Sequence, residues 1–169
     1  MSEISDKLIL NVGPQHPSTH GVLHFRMHLD GEVIERVDPE VGYLHRSIEK
    51  ISERRWYEQV PIFCDRVDYT TAMTAVLGFC MAVETLYEEH DLRVPERAWY
   101  LRVVVTELQR IASHLLWLGT FGLELGAFTV YMYAFREREK VLDLFEEIAG
   151  VRITINYPEI GCFGKDMPE

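Results

Sequence analysis

The hydrophobic period of this chain changes once, near Ser47, from two to about 3.6, and that switch restricts it to a small sheet followed by helices. Ahead of the switch, Leu8 to Val12 is a short apolar run ending at Gly13-Pro14. Residues 22–29 then alternate, with Leu23, Phe25, Met27 and Leu29 on one face and Val22, His24, Arg26 and His28 on the other. Asp30-Gly31 is a two-residue type I′ hairpin signal. Beyond it Val33, Glu35 and Val37 alternate with Ile34 and Arg36, so residues 1–40 read as an antiparallel meander.

After the switch the apolar spacing is helical. Ile48 to Tyr57 reads as one amphipathic helix closed by Pro61. Asp68 is placed to cap a second helix, apolar almost all round, running to about Glu89. Pro95 suits a first helical turn. From there Ala98, Leu101, Val105, Leu108, Ala112, Leu115 and Leu118 recur at three- and four-residue steps, and Gly119 and Gly122 mark the expected end. A fourth helix is expected over Tyr133 to Ala149, with Gly150 as its terminating glycine. The expectation is an α+β fold: a sheet over 1–40, about four bundled helices over 41–157, and a truncated or unstructured tail over 158–169. The three read as a single compact unit.

Charge and cysteine usage narrow the function classes. A net charge of −10, with Lys and Arg scattered among acids, disfavours nucleic acid and direct contact with an anionic membrane. The first residues lack the features of a secretory signal, and Cys64, Cys80 and Cys162 do not form a disulfide framework. The stretch Tyr69 to Leu86 comes nearest to a membrane span, but Thr70, Thr71, Thr74 and Glu84 favour a buried soluble helix. A soluble cytoplasmic domain is therefore expected.

Histidine spacing argues against a resident metal. His24 and His28 share a strand face yet stand roughly 13 Å apart at ~3.3 Å per residue. His16 and His20 have helical spacing, but two prolines and flanking glycines make Gly13 to Gly21 a stiff loop. No Cys-x-x-Cys pair is present to anchor zinc or iron–sulfur. His114, inside an otherwise apolar helix, reads as a core histidine. Glu107 and Arg110 read as a helix-face pair, and Arg136 to Lys140 as a solvated face. The charged run Asp65-Arg66-Val67-Asp68-Tyr69 is either a cap network or a site.

Five collinear segments carry a family resemblance. They are Leu10 to Val22 with its Gly-Pro-Gln-His-Pro-Ser-Thr-His-Gly loop, Gly42-Tyr43-Leu44-His45-Arg46 with Glu49-Lys50, Asp65 to Tyr69, Glu107 to Leu115, and Tyr133 to Glu139. Together they resemble the N-terminal part of the D subunit of NADH–quinone oxidoreductase (complex I), the quinone-site subunit of a family related to the [NiFe]-hydrogenase large subunit. The resemblance implies a loop carrying His16, Ser18, Thr19 and His20 into a quinone headgroup pocket, with His20 and Tyr69 as donors to the quinone oxygens. Reduction to quinol needs two protons, which an imidazole near pKa ~6.5 and a phenol near ~10 can supply. It further implies electrons from a [4Fe–4S] cluster held by a partner subunit, with Arg66 and Arg46 near that cluster. The implied partners are the iron–sulfur B subunit, the C subunit and a membrane subunit at the quinone entry. The implied role is NAD-linked electron transport and proton translocation on the cytoplasmic face of the inner membrane, by a chain inactive in isolation.

Three positions depart from the family pattern. Glu124 stands where the family has an aspartate that pairs with the loop histidine. Thr154 stands where it has a histidine beside the cluster, and Thr129-Val130-Tyr131 replaces its Thr-Pro-aromatic. These departures suggest a divergent paralogue or a different quinone or donor. Three alternatives stay open: a membrane-bound [NiFe]-hydrogenase-like large subunit, an F420 or ferredoxin dehydrogenase subunit, and a non-catalytic truncated domain. The hydrogenase reading needs two Cys-x-x-Cys pairs, the first near Cys64, where this chain has Cys64 alone.

Overall fold

Residues 7–15, 22–87 and 93–167 are described by the computed structural model. The loop positions His16, Ser18, Thr19 and His20 lie outside them, as does the expected helix end at Glu89. The order is β1 (Lys7–Val12), β2 (His24–Asp30), β3 (Val33–Glu40), α1 (Ile48–Ser52), a 3-10 turn (Tyr57–Gln59), α2 (Pro61–Cys64), α3 (Ala72–Tyr87), α4 (Glu96–Glu124), α5 (Phe128–Ala149), β4 (Pro158–Glu159) and β5 (Cys162–Phe163). The fold is α+β, as the change of period requires. Contacts divide the chain into two compact units between Glu49 and Lys50, where the sequence pattern suggested one.

In the first unit β2 is central and both neighbours run antiparallel to it. The register aligns Leu8, Leu29 and Ile34, then Leu10, Met27 and Val37, then Val12, Phe25 and Pro39, which makes one face apolar. The opposite face is polar: Arg26 pairs with Glu40 and Arg36 with Asp38, and His24 and His28 lie 2.8 and 3.0 Å from the same two carboxylates. The two-residue loop is Gly31-Glu32, one position later than the Asp-Gly signal, because Asp30 pairs with Val33. Of the two, Gly31 alone has positive φ, +59°, the pattern of a type II′ rather than a type I′ turn. Gln15 bridges to Val22, and the Leu23 amide donates to the Pro14 carbonyl at 3.0 Å, which closes the base of the His-Pro loop. Gly13, at φ +91°, is obligatory there: a Cβ would lie 1.9 Å from the Leu23 carbonyl oxygen.

The second unit begins differently from the sequence pattern. The expected helix over Ile48 to Tyr57 stops at Ser52, and a separate 3-10 turn starts at Tyr57. None of the five residues of α1 is buried, and a helix that short needs tertiary packing to propagate. In contrast, α4 runs straight through Gly119 and Gly122 to Glu124, and α5 starts at Phe128, earlier than the pattern suggested. Both glycines are buried, and they let α5 approach. A Cβ on Gly119 would meet the Phe135 ring at 3.1 Å, and one on Gly122 would meet Val130 Cγ1 at 2.9 Å. Gly150 ends α5 in the left-handed conformation, its amide donating to the Glu146 carbonyl at 2.9 Å, as expected.

The core of this unit gathers Met73, Val105, Ala112, Leu142, Phe145, Ile148, Ile155 and Tyr157 from α3, α4, α5 and the segment after α5. Beside it lies a buried ion pair. Arg102 of α4 is 0% exposed and Glu84 of α3 is 6% exposed. The guanidinium donates to both Glu84 carboxylate oxygens, at 3.1 and 2.6 Å, in a fork geometry. It also donates to the carbonyls of Cys162, at 2.9 Å, and Glu159, while Glu84 accepts the Gly161 amide at 2.7 Å. The β4–β5 hairpin is thereby pinned to both helices. Tyr157 donates to the Lys165 carbonyl at 2.6 Å and Arg97 pairs with Asp166 at 2.7 Å. Much of 158–167 is thus ordered, not the tail its composition suggested, because buried partners in α3 and α4 satisfy its backbone.

Two stability outcomes follow from this packing. Gly122→Ala should cost about 1–3 kcal/mol by forcing α5 outward, and Val130→Ala in the same chain should recover much of it; urea unfolding measures both. Arg102→Met should cost about 3–5 kcal/mol by leaving the Glu84 charge buried, and adding Glu84→Leu should recover most of that loss. A double variant no more stable than Arg102→Met would show that the hairpin, not the pairing of charge, is what Arg102 supports.

Candidate functional site

The charged segment before α3 is built as a cap network. Asp68 accepts hydrogen bonds from the Thr70 amide at 3.1 Å, the Thr70 hydroxyl at 2.7 Å and the Thr71 hydroxyl. The turn it makes leads into α3 at Ala72. Burial opposes ionisation of Asp68, but the hydroxyls and amides of Thr71 and Thr70 together hold its carboxyl below the usual range. Asp65 is 3% exposed, and Arg66 donates to it at 2.7 Å and to the Ile62 carbonyl at 2.6 Å. Arg66 itself stays largely exposed. Between these anchors Tyr69 is 39% exposed at the surface of a stiffened turn.

Tertiary structure joins this segment to the motif on α4. Gln109 accepts the Met73 amide at 2.6 Å, closing an orphan donor in the first turn of α3. Ser113 donates to the Thr70 hydroxyl at 3.3 Å. Two of the five sequence motifs therefore converge on the start of α3, beside Tyr69. Sequence reasoning marked Gln109 and Ser113 only as motif members; the polar positions recurring at four-residue spacing on an apolar helix were the signal that they face a partner.

The other expected site residues are placed more separately. Glu124 sits exposed in the last turn of α4, and His20, its expected partner, lies outside the described residues. Arg46 is exposed within the first unit. Thr154 adopts φ +55°, and its hydroxyl donates to the Ile153 carbonyl at 2.7 Å. His114 is exposed rather than in the core, beside Ile111, Leu115, Trp117 and Leu118. The helix face it occupies points away from the residues that pack α4 on α3 and α5. Glu107 and Arg110 do pair on the surface, with two contacts of 2.9 Å, and Arg136, Glu137 and Lys140 form an exposed cluster.

Among the described residues, no group of three or more His, Cys, Asp or Glu is arranged to hold a metal ion. Cys80 is buried and its thiol is pushed up to about 11 by that burial. A thiol so held is a poor source of the thiolate that an iron–sulfur or nickel site requires. Cys64 is also pushed up, by burial and then by Asp65. No helix among the described residues is long and apolar enough to cross a membrane.

Residues 124–169 match the model of the family "Respiratory-chain NADH dehydrogenase, 49 Kd subunit". The D subunit of the NADH-quinone oxidoreductase from Citrifermentans bemidjiense is 50% identical over 97% of this chain and 41% of its own length. These similarities are to the family whose motifs the chain resembles. The C/D 1 subunit of the Aquifex aeolicus NADH-quinone oxidoreductase is 48% identical over 96% of this chain and 27% of that longer protein. Among solved structures, a chain of the membrane-bound sulfane sulfur reductase, an archaeal respiratory membrane complex, superposes with a TM-score of 0.84. It is 27% identical, covering 99% of this chain and 44% of that one. The chain thus spans about two-fifths of the Citrifermentans relative that it matches.

The cap network has a pH signature with a definite sign. The Asp68 carboxyl is held below its ordinary value, so its contribution is present above that ordinary value and lost as pH falls through the depressed one. The stability difference between the unaltered chain and Asp68→Asn should therefore be constant near neutrality and shrink below pH ~4, as read by urea unfolding across pH. A difference that does not change down to pH ~2 would remove ionised Asp68 from the network.

Proposed function

We propose that this chain supplies one wall of the quinone headgroup pocket in a respiratory NADH–quinone oxidoreductase. The observation that carries the reading is Tyr69: an exposed phenol on a turn fixed by Asp68, Thr70 and Ser113, at the junction of two family motifs. A donor must be both accessible and held in place to serve a substrate oxygen, and this arrangement supplies both. The pairing of Gln15 with Val22 and of Leu23 with Pro14 supports the same reading, because it fixes the two chain positions between which His16, Ser18, Thr19 and His20 fall in sequence.

In this reading His20 donates to one quinone oxygen and Tyr69 to the other. Two electrons and two protons convert quinone to quinol, so each donor gives up a proton and regains one from solvent or a neighbouring acid. Glu124 is the carboxylate that pairs with His20 and couples its protonation to proton translocation. The electrons come from a [4Fe–4S] cluster in a partner, since the cysteines here are not suited to hold one. Arg66 and Arg46 favour the reduced cluster by their charge. Arg66 is fixed by Asp65 and Ile62 while its side chain remains 44% exposed, which suits a cation facing a partner.

The partners are the iron–sulfur B subunit, the C subunit and the membrane subunit at the quinone entry. A relative whose name joins C with D supports the proximity of the C subunit. Membrane attachment is through those partners, at the cytoplasmic face, and the isolated chain turns nothing over. The structural likeness to a sulfane sulfur reductase chain keeps a second reading, a related membrane complex with a different terminal acceptor. The departures at Thr154 and Glu124 are in keeping with that second reading.

In the assembled complex, His20→Ala and Tyr69→Phe should each lower quinone reduction by roughly 10²-fold or more, with NADH oxidation by an artificial acceptor unchanged. Native rates in both variants, with the complex intact, would overturn the pocket assignment. Quinone reduction absent from the unaltered complex, with another acceptor reduced, would select the second reading.

A further inference from the structure

A cavity of about 460 Å³ opens between the 3-10 turn, the last turn of α3 and the segment around β4. Two tyrosine rings, Tyr57 and Tyr87, make one corner of it, with centroids 6.3 Å apart and planes inclined at 46°. Exposed Glu58 lies on its wall, Glu159 lines it with its carboxylate accepting from the Cys162 thiol at 3.6 Å, and Ile160 adds apolar surface over the buried Pro61 and Pro158. Among the described residues that line it there is no Lys, Arg or His. From this combination we propose that the cavity binds a small alkylammonium ion, with the charged head against the tyrosine rings and Glu58 and the alkyl body toward Ile160.

Three physical points support that occupant. Aromatic faces carry negative potential and attract cations, most strongly where water is partly excluded. Negative charge at neutral pH comes from Glu58: the Tyr57 hydroxyl is pushed up by Tyr87, which is charged only once ionised, and next by the Glu58 carboxylate. An anion or a phosphate would be repelled by such a wall. A bare metal ion fits less well, because no group of three His, Cys, Asp or Glu ligands is assembled among the described residues and the space is far larger than one ion. The far wall is also rigid before any ligand arrives. The Glu159 carbonyl that follows Pro158 accepts from Arg102, and Glu84 holds Gly161, so the hairpin bearing Glu159 is clamped to the core. A preorganised wall lowers the entropic cost of binding.

The test uses the 169-residue chain and a matched pair of probes, neopentylammonium chloride and neopentyl alcohol, titrated by NMR of the tyrosine ring resonances at neutral pH. The ammonium should bind at least about tenfold more tightly than the alcohol of the same shape. Glu58→Gln and Tyr87→Leu should each weaken ammonium binding by roughly 3- to 30-fold, while Glu147→Gln on α5 leaves it unchanged. Glu58 is exposed, so its variant keeps the test valid if Tyr87→Leu does not fold. Equal affinity for the two probes would overturn the proposal in favour of a merely apolar cleft. Undiminished ammonium binding in Glu58→Gln and Tyr87→Leu, or its loss in Glu147→Gln, would place any bound cation elsewhere on the acidic surface.

Discussion

The fork between Arg102 and Glu84 is the contact on which the second unit depends. One guanidinium, wholly buried, ties α4 to α3 through the carboxylate and to β4 and β5 through two carbonyls. A charge in that position is expensive to desolvate, and it is tolerated because its donors meet acceptors in every direction. The hairpin has only two residues per strand and cannot sustain itself. It exists because the ion pair satisfies backbone groups that would otherwise be buried without partners.

Close approach of α4 and α5 is the complementary constraint. Gly119 and Gly122 remove the side chains that would hold the helices apart, and Val130, Ala134 and Phe135 fill the space they leave. The same residues that weaken helix propensity locally are therefore what allows the longest helix contact of the unit. With α4 fixed by Arg102 near one end and by its glycines near the other, Gln109 and Ser113 are held midway. They reach the start of α3 and brace the turn that carries Tyr69. The candidate site is thus a consequence of helix packing rather than of any local motif.

Much of this was legible in the chain itself. The alternation of Leu23 to Leu29 located the central strand and Gly150 marked a helix end, because each depends on interactions within a few residues; Asp68, expected as a cap, shapes the turn four residues before α3 begins at Ala72. The misreadings share one cause. The Asp30-Gly31 signal was one residue early, since register is decided by cross-strand pairing and by the irregularity between His28 and Leu29. Gly119 and Gly122 looked like a helix terminus, and His114 like a core residue, because neither propensity nor period reveals which face another helix will cover. The break after Ser52 was hidden for the same reason.

The sequence alone determined the α+β class, the three strands of the first unit, the presence of the long helices, and the family resemblance, which rests on ordered motifs. It named Tyr69 and Arg66 as candidates by position in those motifs, and Glu124 as a departure from the family pattern. Only the tertiary structure decided that Asp68, Thr70 and Ser113 brace Tyr69, that Arg102 clamps the final hairpin, and that Tyr57 and Tyr87 meet at a cavity. Residues far apart in the chain can be brought into hydrogen-bond distance only by packing, and local propensity carries no information about that encounter. Cap chemistry and hydrophobic period are short-range properties; the partners of buried charges and the walls of cavities are not.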